Sequence, residues 1–332
     1  MRAPDFWGAP AGLRAFALSP LAALYAAAAR ARLARPAPRA DLPVISIGGL
    51  TLGGDGKTPT ALALTAMLKQ LGERPFLSTR GYGRRRSAEG EPFVVDPARH
   101  DALTAGDEAL LLARAAPTIV GADRIAAARL AAGLEASVLV LDDGLHSRRL
   151  DPDLSLLVVD AEYGAGNGFC PPAGPLRAPL AAQLARADAL LLIGDGPAPG
   201  FGLDRRVMRA RLEVDPQAAA RLSGRSVFAF AGVGRPEKFK RTLERAGASV
   251  AGVRWFPDHH FYDAAELAGL ALTAQKLGAS PVTTEKDLAR IEATAAFEAV
   301  AATLKFKEPD RVKDMLAEVL ARARAGRGSR GE

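Results

Sequence analysis

The sequence predicts an α/β fold built on a mostly parallel sheet, and two patterns support that prediction. Short apolar runs alternate with helix-like segments from residue 44 onward, and several runs, such as Val138–Leu141 and Ala189–Ile193, contain no polar residue. An uninterrupted apolar run is typical of a strand that is buried on both faces. Such strands belong to parallel sheets covered by helices, which the alternation also favours.

The elements follow one another in a regular order along the chain. A first unit has strands at Val44–Ile47, Pro75–Ser78, Phe93–Val95, Val138–Leu141, Leu154–Val159 and Ala189–Ile193, with helices at Thr58–Leu71, Glu108–Ala115 and Arg124–Ala132. After a loop at Gly194–Gly202, a smaller α/β unit has strands at Ser226–Phe230, Val250–Trp255 and Pro281–Thr283, with helices at Glu237–Arg245 and Ala264–Leu277. We therefore predict an N-terminal segment (1–40), a core (41–215), a C-terminal lobe (216–320) and a disordered tail (321–332).

Length and composition bound the class of protein. The chain has 332 residues, of which 48% are hydrophobic and 24% charged, which excludes disordered and fibrous proteins. A single cysteine excludes an internal disulfide. The net charge of +7 favours an anionic partner, which could be a nucleotide, a phosphorylated substrate, nucleic acid or an acidic membrane surface.

A glycine-rich turn separates the first strand from the first helix. The chain from Ile47 reads IGGLTLGGDGKT, which combines glycines that let backbone N–H groups converge with a lysine for phosphate and a hydroxyl for Mg²⁺. The full motif GxxxxGK[ST] has glycine where this chain has Thr51, so the match is to the GGxGKT core. The sequence predicts a P-loop NTPase core that binds ATP through Thr51, Leu52, Gly53, Gly54, Asp55, Gly56, Lys57 and Thr58.

A buried strand that ends in carboxylates supports this interpretation. Val138–Leu141 runs directly into Asp142, Asp143 and Gly144. P-loop proteins hold magnesium with a carboxylate in this position and with the hydroxyl of the loop. We therefore expect Thr58, Asp142 and Asp143 to hold Mg²⁺.

The N-terminal segment has two interpretations. Residues 15–29 carry no charge and are flanked by arginines, but they are shorter than the roughly 20 residues of a membrane span, and Pro20 interrupts them. A signal peptide is an alternative interpretation of this segment. Against it, a nucleotide-binding motif follows at once, and nucleoside triphosphates belong to the cytoplasm. The segment is either an apolar and basic helix on an anionic membrane surface or an alanine-rich helix packed on the core.

Four further clusters carry reactive side chains. The segments are Ser78–Arg84 (STRGYGR), Gly106–Glu108 (GDE), Phe256–Tyr262 (FPDHHFY) and Thr283–Asp287 (TTEKD). The two arginines of the first suit an anionic group, and the acids of the second are also favoured as the start of a helix. Adjacent histidines point in different directions, so we expect at most one of the two in FPDHHFY to be catalytic.

Together these motifs resemble those of the tetraacyldisaccharide 4'-kinases of lipid A synthesis. The resemblance covers nearly the whole chain and adds Asp123-Arg124 and the segments Pro172–Arg177 (PAGPLR) and Ala229–Phe239 (AFAGVGRPEKF). It implies a P-loop core with a smaller C-terminal lobe and the active site in the cleft. It also implies transfer of the γ-phosphate of ATP to the 4'-hydroxyl of an acylated glucosamine disaccharide 1-phosphate, giving a lipid IVA-type product.

The resemblance also implies a setting and residue roles. The enzyme would be peripheral on the cytoplasmic face of the inner membrane, with the lipid substrate and the anionic membrane surface as partners and with no nucleic acid and no obligate protein partner. Asp107 would be the general base, paired with His259 when closure of the cleft brings the lobes together. Lys57 and Arg124 would complete the catalytic set, and the substrate-binding residues would be Arg80, Tyr82 and Arg177.

The chain departs from the family pattern in two places. After Gly144 the family continues Leu-Gln-His/Asn, whereas this chain has Leu145, His146 and Ser147. After Arg177 the family has glutamate, whereas this chain has Ala178. We expect Asp160, at the end of its strand, to supply the missing carboxylate near the metal.

Two other classes share some of these features. A membrane-associated P-loop ATPase switch of the partitioning or metal-delivery type also uses GGxGKT, but it usually carries an extra lysine early in the loop, which this chain lacks. A nucleic-acid-binding ATPase would share the basic charge, but aromatic stacking clusters are missing.

Overall fold

The computed structural model describes residues 4–84, 90–197, 206–291 and 296–328. A 3₁₀ turn at Asp5–Trp7 precedes helix α1 (Leu13–Ala34). The elements that follow are, in chain order, β1 (Val44–Gly49), α2 (Lys57–Gln70), β2 (Pro75–Thr79), β3 (Phe93–Val94), α3 (Asp107–Ala113), β4 (Thr118–Val120), α4 (Arg124–Gly133), β5 (Val138–Leu141), β6 (Leu154–Asp160), α5 (Leu180–Arg186), β7 (Ala189–Ile193), β8 (Arg206–Val214), α6 (Pro216–Leu222), β9 (Ser226–Ala231), α7 (Pro236–Arg245), β10 (Ser249–Trp255), α8 (Ala264–Lys276), β11 (Ser280–Thr284), α9 (Glu285–Leu288), β12 (Glu298–Val300), β13 (Ala302–Phe306) and α10 (Pro309–Gly328).

A large sheet forms the centre of the molecule. Nine of the described strands pair in the order β13-β8-β7-β6-β1-β5-β2-β4-β3. All neighbours pair in parallel except β13 with β8 and β3 with β4 at the two edges. The predicted α/β class with a mostly parallel sheet is confirmed. Because β1 lies between β5 and β6, the glycine-rich turn after β1 emerges at the middle of the carboxyl edge, where open α/β sheets bind ligands.

Both faces of this sheet are covered by helices. Successive residues of a strand face opposite sides, so a strand without polar residues buries apolar groups in both directions. One face packs against α2 and α10 in a cluster that includes Ile45, Leu64 and Leu316. The other face packs against α1 and α5 in a cluster that includes Leu33 and Leu157, and α4 covers a neighbouring part.

The second sheet is smaller and wholly parallel. Its described strands pair in the order β10-β9-β11-β12. Helix α7 covers one face through Phe239 and Leu243, and α8 covers the other through Leu270 and Ala274. The chain therefore builds a second α/β unit after the first.

The C-terminal segment differs from the predicted boundaries. Strand β13 pairs with β8 in the large sheet, and α10 packs there with α2, so residues 302–328 return to the first unit. The prediction of a disordered tail is wrong as far as Gly328, because Leu316 and Leu320 bury one side of α10 and Arg327 pairs with Asp153 at 2.8 Å. Residues 329–332, and residues 198–202 of the predicted loop, lie outside the described residues.

Helix α1 combines features of both interpretations of the N-terminal segment. It buries Ala22, Ala29 and Leu33 against the rest of the molecule. On its open side the large apolar residues include Leu21 and Leu24, which are 57% and 70% exposed. Among the described helices, none is both long enough and apolar enough to cross a membrane.

Candidate active site

The turn between β1 and α2 is the segment that the sequence predicts to bind phosphate. Gly53, Gly54 and Gly56 adopt φ angles of +83°, +59° and +95°, a region that residues with a Cβ rarely enter. At Gly56, the N-cap of α2, a Cβ would also lie 2.6 Å from Ile193. The loop therefore requires glycine here, and it leads into the amino end of α2, which is the kind of position that suits an anion.

A buried acid closes this loop, and an arginine of the second unit holds it from outside. Asp55 accepts hydrogen bonds from the Thr51 N–H at 2.7 Å and from the Thr51 hydroxyl at 2.6 Å. Arg235, which precedes α7, donates to the Thr51 hydroxyl oxygen at 2.6 Å and lies 3.1 Å from Asp55. The loop that the resemblance assigns to ATP is thus fixed by both units.

Asp142, at the carboxyl end of β5, lies beside the start of α2. The Thr58 hydroxyl donates to its Oδ2 at 3.0 Å, while its Oδ1 is buried without a hydrogen-bond partner among the described residues. Burial, together with the nearby charge of Glu108, raises the pKa of Asp142 to about 7. A bound cation would favour the charged carboxylate, and Mg²⁺ prefers oxygen ligands such as these two. Thr58 and Asp142 therefore fit a magnesium ion.

Asp143 has a different environment. Both of its oxygens lie 2.8 Å from Arg177 Nη1, and Arg177 also donates to the Thr51 carbonyl at 2.8 Å. Although burial acts in the opposite direction, the charges of Arg177 and Lys57 hold the pKa of Asp143 well below its usual range. Asp143 thus orients Arg177, and its contact with a metal ion stays a prediction.

Arg124 lies beneath the strand ends. Its side chain is fully buried, and it donates to the Ser78 hydroxyl oxygen at 2.9 Å and to the Asp142 carbonyl at 3.3 Å. Burial lowers the pKa of Arg124 to about 10, so it stays charged at neutral pH. In this arrangement Arg124 positions Asp142, and direct contact with a phosphoryl group stays a prediction.

Asp107 and His259 lie together although 152 residues separate them. Asp107 is the first residue of α3, and His259 follows β10 with a φ of +60°. His259 Nδ1 is 3.0 Å from Asp107 Oδ2 and 3.2 Å from Oδ1. Burial acts to raise the pKa of Asp107, but the hydrogen bond from His259 and the charge of Lys286 hold it below the usual value.

Lys286 fixes the tautomer of His259. Its ammonium nitrogen is 3.2 Å from His259 Nε2, and an ammonium group can only donate. Nε2 therefore accepts, and Nδ1 carries the proton that is shared with Asp107. Lys286 also pairs with Glu108 at 3.1 Å. Although burial acts to lower the pKa of Lys286, the charges of Glu108, Asp258 and Asp107 raise it. The TTEKD segment marked Lys286 as reactive, but no sequence pattern indicated this partner.

The STRGYGR segment packs against the turn before Asp107. Gly81 and Gly106 have positive φ angles, and a Cβ on Gly106 would lie 2.8 Å from the Tyr82 carbonyl oxygen. The Tyr82 ring lies 4.6 Å from that of His259, between centroids, and it is 68% exposed. Tyr82 therefore stands at the entrance to the Asp107–His259 pair.

Asp160 serves as a contact between the units. Its carboxylate pairs with Arg235 and, at 2.6 Å, with Lys238, and it is buried. Burial would raise its pKa, but the charges of Lys238 and Arg235 hold the pKa of Asp160 below its usual value. Because two cations of the second unit pair with the Asp160 carboxylate, these contacts argue against the expectation that it replaces a metal carboxylate.

Ala178 is fully buried within an apolar cluster. The side chain of Gln183, which is also fully buried, lies beside it. The Gln183 amide nitrogen donates to the carbonyls of Ala178 and Leu50 at 2.6 and 3.2 Å. Its Oε1 must then accept from His146 Nε2, 2.8 Å away, so the proton of His146 is on Nε2. Burial and the charge of Arg177 lower the pKa of His146 to about 4, so His146 is neutral at pH 7.

The sequence matches one family over most of its length. A sequence model described as LpxK, tetraacyldisaccharide-1-P 4'-kinase, matches residues 14–321. The tetraacyldisaccharide 4'-kinase of Methylobacterium nodulans is 51% identical over 317 residues, 93% of each chain. That of Bradyrhizobium diazoefficiens is 45% identical and covers 99% of this chain and 100% of its own.

A solved structure has a similar fold. The crystal structure of the "apo" form of LpxK from Aquifex aeolicus in complex with ATP has a TM-score of 0.72 and 26% sequence identity. The similarity covers 93% of this chain and 100% of that one. It therefore extends over both α/β units.

Proposed function

The chain belongs to the tetraacyldisaccharide-1-P 4'-kinase family, and from this premise we propose how its residues carry out the family's reaction. The reaction is the ATP-dependent phosphorylation of the 4'-hydroxyl of a lipid A disaccharide 1-phosphate. The comparisons favour this kinase over a partitioning or metal-delivery switch. The observation that supports the residue assignment best is the 3.0 Å contact between Asp107 and His259, on the same edge of the sheet as the phosphate-binding loop.

The nucleotide site is assigned to the loop and its neighbours. The N–H groups of residues 53–56 and the ammonium group of Lys57 bind the phosphates of ATP. Thr58 and Asp142, whose Oδ1 has no hydrogen-bond partner among the described residues, would hold Mg²⁺, and Asp143, which pairs with Arg177, is a further candidate. When bound, Mg²⁺ would neutralise negative charge on the phosphates of ATP. Arg124 keeps Asp142 in place from below.

Asp107 is the proposed general base for the acceptor hydroxyl. Because its pKa is low, Asp107 is ionised at neutral pH and can accept the 4'-hydroxyl proton as the oxygen–phosphorus bond forms and ADP leaves. His259 holds the carboxylate through its Nδ1 proton, and Lys286 holds His259 through Nε2. A placed base of this kind contributes about 10²–10⁴ in rate. Arg80, Tyr82 and Arg177 are the proposed contacts to the substrate.

Helix α1 is the proposed contact with the membrane surface. Its buried side attaches it to the core, and its exposed leucines and phenylalanine are available to the lipid phase, with Phe16 57% exposed. An apolar face beside arginines suits an anionic interface. We propose that the enzyme is peripheral on the cytoplasmic face of the inner membrane, where its acylated substrate lies.

The experiment that tests the function is a phosphotransfer assay with the full-length protein. ATP and Mg²⁺ are supplied with and without a tetraacylated disaccharide 1-phosphate in mixed micelles, and ADP and bisphosphorylated lipid are both measured. We expect one phosphorylated lipid per ADP, with little ADP formed when the acceptor is left out. Lys57→Ala should abolish both products, while the control Lys276→Ala, at an exposed position on α8, should retain both. ADP formation that is independent of the acceptor would contradict the assignment.

A further inference from the structure

An acid lies inside the loop that the proposed function assigns to the phosphates of ATP. Asp55 stands between Gly54 and Gly56, and it is 1% exposed. Its carboxylate accepts hydrogen bonds from the N–H and the hydroxyl of Thr51. Asp55 is two residues from Lys57, at most about 7 Å between their Cα atoms. A buried negative charge therefore lies close to the place where a polyanion would bind.

Such a charge opposes nucleotide binding unless a cation offsets it. Like charges that meet in a binding site weaken the binding, and they do so most where burial lowers the dielectric constant. Within the described residues, Asp55 forms an ion pair with Arg235 alone, whose Nη2 lies 3.1 Å from its Oδ1. Arg235 follows β9 and belongs to the second α/β unit. The charge balance of the loop is therefore completed by another part of the fold.

The guanidinium group of Arg235 is held in a fixed position. Its Nη2 also donates to the Thr51 hydroxyl oxygen at 2.6 Å, and its Nη1 pairs with Asp160 at the carboxyl end of β6. Its central carbon lies 3.8 Å from the centre of the Tyr163 ring, which is a cation–π contact. These neighbours keep the positive charge beside Asp55.

The backbone before Arg235 also contacts the loop. A Cβ on Gly234 would lie 3.1 Å from the backbone nitrogen of Gly54, and a Cβ on Gly54 would lie 2.8 Å from Arg235 Cγ. Because glycine has no Cβ, the two chain segments can approach this closely. The second unit is thus packed directly on the loop, and Arg235 reaches Asp55 from that contact.

We propose that Arg235 is a positioning residue of the nucleotide site, which neutralises Asp55 and so allows the loop to accept the phosphates of ATP. This inference rests on the proposed function, because it takes the loop to be the ATP site. Arg235 acts through Asp55 and not by contact with the nucleotide. The affinity for ATP then depends on a residue of the second unit as well as on the loop itself.

The test measures the Kd of β,γ-methylene-ATP with Mg²⁺ by calorimetry on the full chain. Arg235→Gln keeps a hydrogen-bond donor but removes the charge, and we expect a Kd about tenfold or more higher, as for the loss of one charged hydrogen bond. Arg235→Lys keeps the charge and should recover part of the loss. The control Arg241→Gln removes a half-exposed charge of α7 that pairs with Glu162, and the Kd should stay within about twofold.

Removal of the acid separates neutralisation from a structural role. In Asp55→Asn the amide oxygen can still accept a hydrogen bond from Thr51, but the negative charge is gone. We expect this variant to bind the analogue at least as tightly as the parent protein. Combined with Arg235→Gln, it should recover most of the lost affinity. A mere weakening of the contact between the units would not be repaired in this way, because the pair with Asp160 stays broken in the double variant.

Three results would overturn the proposal. They are an unchanged Kd in Arg235→Gln, weaker binding by Asp55→Asn alone, and a double variant that binds as weakly as Arg235→Gln. Failure of the proposed function is distinguishable, because the parent protein and its variants would then show the expected series of Kd values without phosphorylating the lipid. A parent protein that binds no ATP analogue would overturn both.

Discussion

His259 Nδ1 lies 3.0 Å from Asp107 Oδ2, although the two residues belong to different α/β units. The family resemblance implies that closure of a cleft brings them together, but the pair is already formed in this structure. The physical reason is the set of ion pairs between the units, which joins Arg235 to Asp55 at 3.1 Å, Lys238 to Asp160 at 2.6 Å and Lys286 to Glu108 at 3.1 Å.

Asp160→Asn should weaken the contact between the units without affecting magnesium. The neutral side chain leaves the half-buried Lys238 without its counter-charge, whereas Arg235 keeps its pair with Asp55 at 3.1 Å; breaking a fully buried ion pair costs about 3–5 kcal/mol. We expect the free energy of unfolding to fall by on the order of 2 kcal/mol, because the amide oxygen of asparagine can still accept one hydrogen bond. Urea unfolding and the Mg²⁺ concentration for half-maximal rate are the measurements. A higher Mg²⁺ requirement at unchanged stability would return Asp160 to the metal site.

His146 should make the protein less stable in mild acid. Its pKa is about 4 in the folded state and about 6.5 when unfolded, so between these values the unfolded chain binds the extra proton. Stability then falls as the pH drops, by at most about 1.4 kcal/mol per pH unit. In His146→Gln, the free energy of unfolding between pH 4.5 and 7 should depend less on pH. Parallel curves for the two proteins would contradict the assigned neutral state.

The exposed leucines of α1 should determine binding to vesicles. Leu21→Gln combined with Leu24→Gln removes apolar area that the lipid would bury, and a fully buried leucine is worth about 1.5–3 kcal/mol. We expect at least a tenfold weaker partition onto anionic vesicles in sedimentation, with ATP binding unchanged. Leu272→Gln, at an exposed position of α8, is the control and should bind like the parent protein. Equal binding by all three proteins would assign the membrane contact elsewhere.

The central strands and the phosphate-binding loop could be predicted because their signals are local. An uninterrupted apolar run such as Val138–Leu141 has few alternatives to a buried strand, and glycines before Lys57 have a known geometric use. Strand β8 was missed because charged residues interrupt it, as at Arg209 and Arg211, and it lies next to the edge strand β13. The return of β13 to the large sheet depends on pairing with a distant segment, which no local pattern shows.

The candidate site could likewise be predicted only in part. Asp107 and His259 were predicted as a pair from the family resemblance, and the structure brings them together. Three features could not be predicted, because each depends on which side chains meet in the folded protein. They are the burial of Arg124, the ion pair of Asp143 with Arg177 and the contact of Lys286 with His259.

The central claim is that Asp107 and His259 act as one unit on the acceptor hydroxyl, and a double-mutant cycle tests it most directly. The kcat of phosphotransfer is measured at saturating ATP and acceptor for Asp107→Asn, His259→Gln and the double variant, with His260→Gln as the control, since His260 pairs with Glu266 at 2.9 Å instead. We expect each single change to lower kcat by about 10²–10⁴, the double variant to be little worse than the worse single, and His260→Gln to stay close to the parent. Losses that multiply in the double variant would show that the two residues work independently and would contradict the account.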